Sequence, residues 1–235
     1  MITDFDIFQP WSTFVLGTTL PSEVLERMIK LTDEIIIDRA GTSDDTGAAQ
    51  VEDEFLIDLE KFAQEEVQSF EFLMEACGTY VIQAYCQSQP FNKEYIMNEQ
   101  WLTKLTSMWV VSQKDNEYNP IHVHEECHLS AVMYLKIPKF KKERKEHRRS
   151  VDGAITFVGN SSLDIDFSHP NITIAPTVGD LFIFGSNQQH SVNPYRCEEG
   201  DTERRSVSFN AIFSSEKLFE QQKKSFEEQS LKDQS

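Results

Sequence analysis

The chain is short of positive charge: 22 lysines and arginines stand against 39 aspartates and glutamates, for a formal net charge of −17. Phosphate backbones and anionic lipids repel a chain this acidic. We therefore expect neither general nucleic-acid binding nor membrane association. The sequence also lacks an apolar run of transmembrane length, and its first residues lack the basic and apolar segments of a signal peptide.

Cysteine is scarce as well. The four cysteines (Cys77, Cys86, Cys127 and Cys197) include no Cys-x-x-Cys pair. They indicate reduced thiols in a cytoplasmic protein rather than a disulfide framework. Apolar residues, in contrast, make up 39% of the 235 residues and include 17 phenylalanines, enough for the core of one integrated domain.

Helical and extended patterns occupy different parts of the chain. Residues 1–100 predict a short strand near Phe14, a helix from Pro21 to Asp38, and a long helical region over 51–87 that Gly78 divides. Short strands follow, and a polar tail occupies 215–235. Helices ahead of many short strands predict a mainly β barrel or sandwich backed by helices. The predicted strands are 101–113, 118–124, 129–137, 154–158, 163–167, 171–174, 180–184, 190–194 and 204–213.

A histidine cluster lies between two of these strands. Three of the six histidines, His122, His124 and His128, fall within seven residues, and His190 begins a later strand. Side chains two residues apart on a strand point the same way, so His122 and His124 share a face. Two such imidazoles can hold a metal ion between them. The alternative is a polar strand end with surface histidines.

Two other strands carry polar side chains on one face. Unpaired buried polar groups cost about 1–3 kcal/mol each, and a buried arginine needs an anion. Folded into one barrel, these faces predict a pocket for a small dianion, with a metal at its mouth and a cation deeper in. The faces consist of Arg204, Ser206, Ser208 and Asn210 on one strand, and of Ser130, Val132 and Tyr134 on the other.

These residues resemble a known family. His122-x-His124, His190 and Arg204-x-Ser206 are similar to the motif of the Fe(II)/2-oxoglutarate-dependent oxygenases. Short motifs around these residues, such as Asn119-Pro120 and Gly179-Asp180-Leu181, resemble those of family members encoded by marine phages and some bacteria. The resemblance spans about 108–213. It implies a double-stranded β-helix (jelly roll) over 101–214, with residues 1–100 supplying helices packed on the major sheet, in the host cytoplasm if a phage encodes the protein.

The resemblance also implies a role for each site residue. Fe(II) would be held by His122, His124 and His190, with 2-oxoglutarate and O₂ as cosubstrates. Arg204 and Ser206 would bind the distal carboxylate of 2-oxoglutarate, and Tyr134 matches a carboxylate-binding tyrosine of the prolyl hydroxylase branch. The polar residues Ser130 and Asn210 complete the cofactor-binding set that we predict.

The implied reaction hydroxylates a C–H bond and releases succinate and CO₂. By analogy with the prolyl hydroxylases, the substrate is a protein or peptide side chain, with a small molecule as the alternative. The sequence does not decide between a monomer and a homodimer.

The chain departs from the wider family at one ligand, because a carboxylate usually stands where this chain has His124. Either three histidines bind the metal, or the register is His124-x-Glu126. Two other functions stay open: a cupin-like three-histidine metalloenzyme that does not use 2-oxoglutarate, and a jelly-roll binding module without catalysis. The segment from Lys139 to Arg149, with seven lysines and arginines, is interpreted as a solvated loop, as a lid over the substrate or as a docking patch for an acidic partner.

Overall fold

A computed structural model describes residues 14–44, 51–88, 100–141, 151–159, 171–198 and 202–216. The predicted strand 163–167 lies outside these residues, as do most of the basic segment 139–149 and nearly all of the tail 215–235. The interpretations of those three segments therefore stay predictions.

The described strands form two antiparallel sheets, one six-stranded with the order β1-β8-β5-β10-β3-β2 and one four-stranded with the order β4-β9-β6-β7. Helices pack against strands of the larger sheet. This arrangement is the jelly roll with helices on its major sheet, which confirms the predicted fold class. In chain order the elements are β1 (Val15–Thr19), α1 (Ser22–Asp38), β2 (Glu54–Leu56), α2 (Leu59–Glu65), α3 (Val67–Ser88), β3 (Trp101–Gln113), β4 (Asn119–His122), β5 (Leu129–Lys136), β6 (Ile155–Val158), β7 (Asn171–Ile174), β8 (Asp180–Gly185), β9 (His190–Val192) and β10 (Arg204–Ser215).

Strand β5 shows how the sequence separates two apolar layers. Its odd-numbered residues, Leu129, Ala131, Met133 and Leu135, join the large core between the sheet and the helices. Val132 and Tyr134 face the other way, into a smaller cluster with Phe157, Phe182 and Phe184 between the two sheets. Because strand side chains alternate in direction, one strand builds both layers. The second layer is the one next to the site.

The prediction of one helical region over 51–87, divided at Gly78, is wrong in two respects. Residues Glu54–Leu56 form β2, which pairs with β3 through Phe55 and Val110. The helices divide at Glu66 instead, after Asp58 has capped the start of α2 by accepting from the backbone of Glu60 and Lys61. Helix α3 continues through Gly78 because burial of neighbours such as Leu73 and Cys77 outweighs the roughly 1 kcal/mol that glycine costs a helix.

The start of β10 is joined to α1 by ion pairs. The side chain of Arg205 is 4% exposed and lies 2.7 Å from Glu203 and 2.6 Å from Asp33. Lys136 of β5 joins the same carboxylates at 3.0 Å from Asp33 and 3.5 Å from Glu203. These contacts lower the pKa of Asp33 and of Glu203, against the effect of their burial. These ion pairs therefore fix helix α1, strand β5 and the first residues of β10 relative to one another.

None of the helices in the described ranges has the length and apolar character needed to cross a bilayer. Cys77 and Cys127 form no disulfide bond within the described ranges.

Candidate active site

Three histidines from two neighbouring strands meet at one end of the cavity between the sheets. His122 ends β4 and lies directly opposite His190, the first residue of β9. His124 follows β4, where its backbone N–H donates to the carbonyl of Ser186 at 2.9 Å. The ring centroids lie 4.2 Å apart for His122 and His190, and 5.2 Å apart for each of the other two pairs. One nitrogen from each ring falls within 4.8 Å of the others, so the three form a candidate metal-binding triad.

Two of the three rings are held in a tautomer that suits a metal ligand. The Nδ1 atom of His122 lies 2.7 Å from the carbonyl oxygen of Pro120, and that of His190 lies 2.9 Å from the carbonyl oxygen of Gln188. A carbonyl only accepts, so Nδ1 carries the hydrogen and Nε2 keeps its lone pair. Backbone carbonyls orient metal-binding histidines in this way in many proteins.

Burial keeps the imidazoles neutral. It lowers the pKa of His124 to about 3, helped by repulsion from His190 and His122. It lowers the pKa of His190 to about 4, again with repulsion from His122, and it lowers the pKa of His122. Metal binding requires the neutral ring. The donor set therefore fits a divalent ion such as Fe(II), Ni(II) or Zn(II), for which imidazole is a suitable ligand.

The same cavity is lined by a buried arginine. Arg204 begins β10 and is 1% exposed. Its Nη1 donates to Oε1 of Gln113 at 2.9 Å, and its Cζ lies 4.8 Å from the ring centroid of Tyr134. Its Nε and Nη2, and the hydroxyl of Tyr134, are buried and form no hydrogen bond of normal geometry among the described residues. The Tyr134 hydroxyl lies near the guanidinium, and this proximity partly offsets the effect of burial on the pKa of both groups. Donors left unsatisfied in this way are the polar groups that a bound anion would pair.

The remaining predicted site residues divide into two groups. Ser206 lines the cavity beside Arg204. Ser130 and Asn210 face each other across β5 and β10 but are not part of the cavity lining. Ser130 Oγ donates to the carbonyl of Phe209 at 3.5 Å, while Asn210 Oδ1 is buried without a partner in the described part of the chain. Their role in cofactor binding stays a prediction.

The acidic alternative to His124 lies outside the triad. Glu126 is exposed and has a positive φ of 57°, and the metal-binding cluster found among the described residues contains His124 instead. His128, the other histidine of the motif, contacts the backbone of Phe213, with its Nδ1 3.0 Å from that residue's nitrogen. Both residues therefore belong to the rim.

Sequence reasoning missed several residues that the fold brings to the site. Gln113 ends β3, and Trp109 of the same strand lies 5.9 Å from His124 between ring centroids. Phe184 of β8 lies 4.6 Å from His190. A strand end and two aromatic residues have no pattern of their own. The pairing of β3 with β10 sets Gln113 opposite Arg204, and the pairing of β5 with β8 places Phe184.

A jelly roll with a histidine triad and a buried arginine in one cavity fits a metal-dependent enzyme that binds a small anion. The comparisons with known proteins agree. Residues 107–210, a little under half of the chain, match the sequence model of the family described as "Putative 2OG-Fe(II) oxygenase". The matched range contains all three histidines and Arg204. Family match and triad together indicate a 2-oxoglutarate- and iron-dependent oxygenase, which is an oxidoreductase.

Solved structures share the fold. One is a prolyl hydroxylase from Trichoplax adhaerens, in complex with a peptide fragment of the hypoxia inducible factor oxygen degradation domain. It is 11% identical, with 85% of this chain and 83% of that chain covered and a TM-score of 0.52. Another is the non-heme α-ketoglutarate-dependent epimerase SnoN from nogalamycin biosynthesis, at 14% identity, 84% and 78% coverage and a TM-score of 0.50. No curated protein matches the chain.

Proposed function

We propose that this protein is an Fe(II)- and 2-oxoglutarate-dependent dioxygenase that hydroxylates a side chain of a protein or peptide. One observation supports it above the others. Arg204 is buried in a cavity wall, yet it forms no ion pair with a carboxylate among the described residues. Burial lowers its pKa, but a guanidinium stays protonated in proteins and a buried charge needs a partner. The distal carboxylate of 2-oxoglutarate is a partner of the right charge and shape.

Each residue then has a defined task. The three neutral histidines hold Fe(II), two of them with their rings fixed by backbone carbonyls. Arg204 and Ser206 bind the distal carboxylate, and the hydroxyl of Tyr134 is placed beside them as a further donor. Walls such as Phe184 and Trp109 exclude water, which strengthens charge interactions in the cavity. When bound, Fe(II) and 2-oxoglutarate supply the oxidising chemistry, in which O₂ is consumed and succinate and CO₂ are released.

The substrate class is the finer part of the proposal. A protein or peptide side chain is favoured because the Trichoplax enzyme of the same fold was solved with a peptide, and proline is the first residue to test. The kinship with phage and bacterial oxygenases and the cytoplasmic location rest on the sequence features given above and are proposed with it.

Anaerobic titration of the Fe(II)-loaded protein with 2-oxoglutarate tests the proposal. We expect the visible charge-transfer absorption that chelation of iron by a 2-oxo acid produces, and we expect it to saturate. If iron is bound and no such absorption appears, the cupin-like or binding-module function takes precedence. Arg204→Ala separates these cases further, because turnover of 2-oxoglutarate should collapse only if Arg204 binds its carboxylate.

A further inference from the structure

The side chain that holds Arg204 is a neutral amide. Gln113 is 1% exposed, and its Oε1 accepts from Nη1 of Arg204 at 2.9 Å. A carboxylate at this position would neutralise the guanidinium and remove its need for a ligand anion. Arg205, the next residue, shows the contrast, because Glu203 and Asp33 pair with it. Two adjacent arginines thus have opposite partners: carboxylates for Arg205 and an amide for Arg204.

The amide occupies one particular part of the guanidinium. Nη1 is used by Gln113, while Nε and Nη2 are buried and unpartnered among the described residues. Nε and Nη2 share one edge of the planar group, and their two N–H bonds match the two oxygens of a carboxylate. The contact with Gln113 therefore decides which edge of the guanidinium can bind a ligand. The edge formed by Nε and Nη2 stays available, and the end formed by Nη1 and Nη2 does not.

Gln113 is itself fixed on both sides. Its Nε2 donates to the carbonyl of Glu117 at 2.5 Å, which leaves Oε1 as the atom that meets Arg204. Its own carbonyl accepts from the hydroxyl of Tyr195 at 2.5 Å. That hydroxyl also accepts from the backbone N–H of Arg204 at 3.2 Å. The buried tyrosine thus connects the backbone at the end of β3 with the backbone at the start of β10, from which the amide and the guanidinium extend.

We propose that Gln113 is a positioning residue: it holds Nη1 of Arg204 without neutralising the charge, so that the carboxylate of the 2-oxo acid is bound side-on through Nε and Nη2. The inference rests on the proposed function, since it concerns how the same arginine takes 2-oxoglutarate. Gln113 acts through Arg204 and does not touch the reacting atoms.

Calorimetric titration of the Mn(II)-loaded protein with 2-oxoglutarate tests it without turnover. In Gln113→Glu, the new carboxylate pairs with Nη1, and we expect the Kd for 2-oxoglutarate to rise about 10- to 100-fold, the range for loss of one charge-assisted hydrogen bond. Gln113→Leu removes the acceptor without adding charge and should raise the Kd less. The matched control is Gln100→Glu, which adds the same charge at an exposed residue before the other end of β3 and should leave the Kd unchanged.

Two further readouts separate positioning from damage to the fold. The Kd for Mn(II) should be the same in all these variants, because the side chain of Gln113 bonds to Glu117 and Arg204 and to none of the three histidines in the described part of the chain. In an Arg204→Leu background, Gln113→Glu should cause no additional loss of 2-oxoglutarate affinity, since the group it acts through is gone.

Nuclear magnetic resonance of the wild-type protein gives a test that needs no variant to fold. Side-on binding predicts that 2-oxoglutarate shifts the Arg204 Nε–H resonance downfield, with Arg204→Lys supplying the assignment. An unshifted Nε–H resonance on saturation, or a Gln113→Glu variant that binds like Gln100→Glu, overturns the inference alone. If the Mn(II)-loaded wild type binds no 2-oxoglutarate, the proposed function fails and the inference fails with it.

Discussion

Replacing Arg204 by leucine should weaken the binding of 2-oxoglutarate and leave the free energy of unfolding nearly unchanged. The change removes two buried nitrogen donors, Nε and Nη2, that form no hydrogen bond of normal geometry within the described residues, each of which costs the folded state about 1–3 kcal/mol. It also removes the hydrogen bond to Gln113, worth about 1.5–3 kcal/mol, and the contact with the Tyr134 ring, worth about 0.5–2 kcal/mol. These contributions nearly cancel. We expect the free energy of unfolding of the metal-free protein to change by less than about 2 kcal/mol.

Binding of 2-oxoglutarate should change far more. Truncating one partner of a buried charge pair costs about 2–5 kcal/mol, which corresponds to an increase in Kd of about 30- to 4,000-fold. Urea unfolding, followed by tryptophan fluorescence, measures the first quantity. Calorimetry with the Mn(II)-loaded protein measures the second.

The adjacent arginine is the matched control. Arg205→Leu leaves Glu203 without its closest cation, and breaking a buried pair of this kind costs about 3–5 kcal/mol of stability. Affinity for 2-oxoglutarate in the folded protein should change little, because Arg205 points away from the cavity toward α1. If Arg204→Leu destabilises the protein as much as Arg205→Leu, then Arg204 is satisfied within the folded chain. The argument for a ligand carboxylate would then be refuted.

Three other predictions follow from the site and the helices. First, the pKa values of His124 and His190 are about 3 and about 4 in the folded protein, below the unfolded value of about 6.5, so the unfolded chain takes up protons first. The metal-free protein should lose stability as pH falls from about 6.5 toward 4, by up to roughly 1.4 kcal/mol per histidine and pH unit; His124→Gln should reduce this slope in pH-dependent urea unfolding, and an unchanged slope would contradict the shifts. Second, Mn(II) at 100 times its Kd should stabilise the protein by about 2.7 kcal/mol, seen as a raised Tm that EDTA reverses and that His190→Gln lacks; a shift that persists in His190→Gln would place the metal elsewhere. Third, Gly78→Ala should stabilise the protein by about 0.5–1 kcal/mol in urea unfolding, because an added Cβ meets no atom within 4 Å; a loss of stability would argue against a continuous α3.

Strands were easier to predict from this sequence than the boundaries of the helical region. Strand β3 has the bounds that the alternation in 101–113 predicted, and β7 agrees likewise with 171–174. The prediction of a helix in the segment before α2 was wrong because Phe55 and Leu56 fit the spacing of a helix as well as that of a strand. Pairing with β3 decides the outcome, and that contact joins residues more than fifty positions apart, which no local pattern reveals.

Site residues also differ in whether a local sequence pattern could place them. His122 and His124 could be placed on one face because their spacing is local. Gln113 and Tyr195 could not, since their importance comes from the register between β3 and β10 and from a tyrosine that reaches across it. The neutrality of the histidines is a consequence of burial, which a sequence gives only indirectly.

The paired arginines at the start of β10 also bear on how the chain finds its alignment. A slip of this strand by one residue would turn every side chain to the opposite face and would offer Arg205, chemically identical to Arg204, to the cavity. Such a slip would leave Glu203 and Asp33 without the guanidinium that they now contact and would put Ser206 at the position that now faces α1. The ion pairs around Arg205 therefore favour the observed alignment over the slipped one, although either arginine could by itself occupy the cavity position.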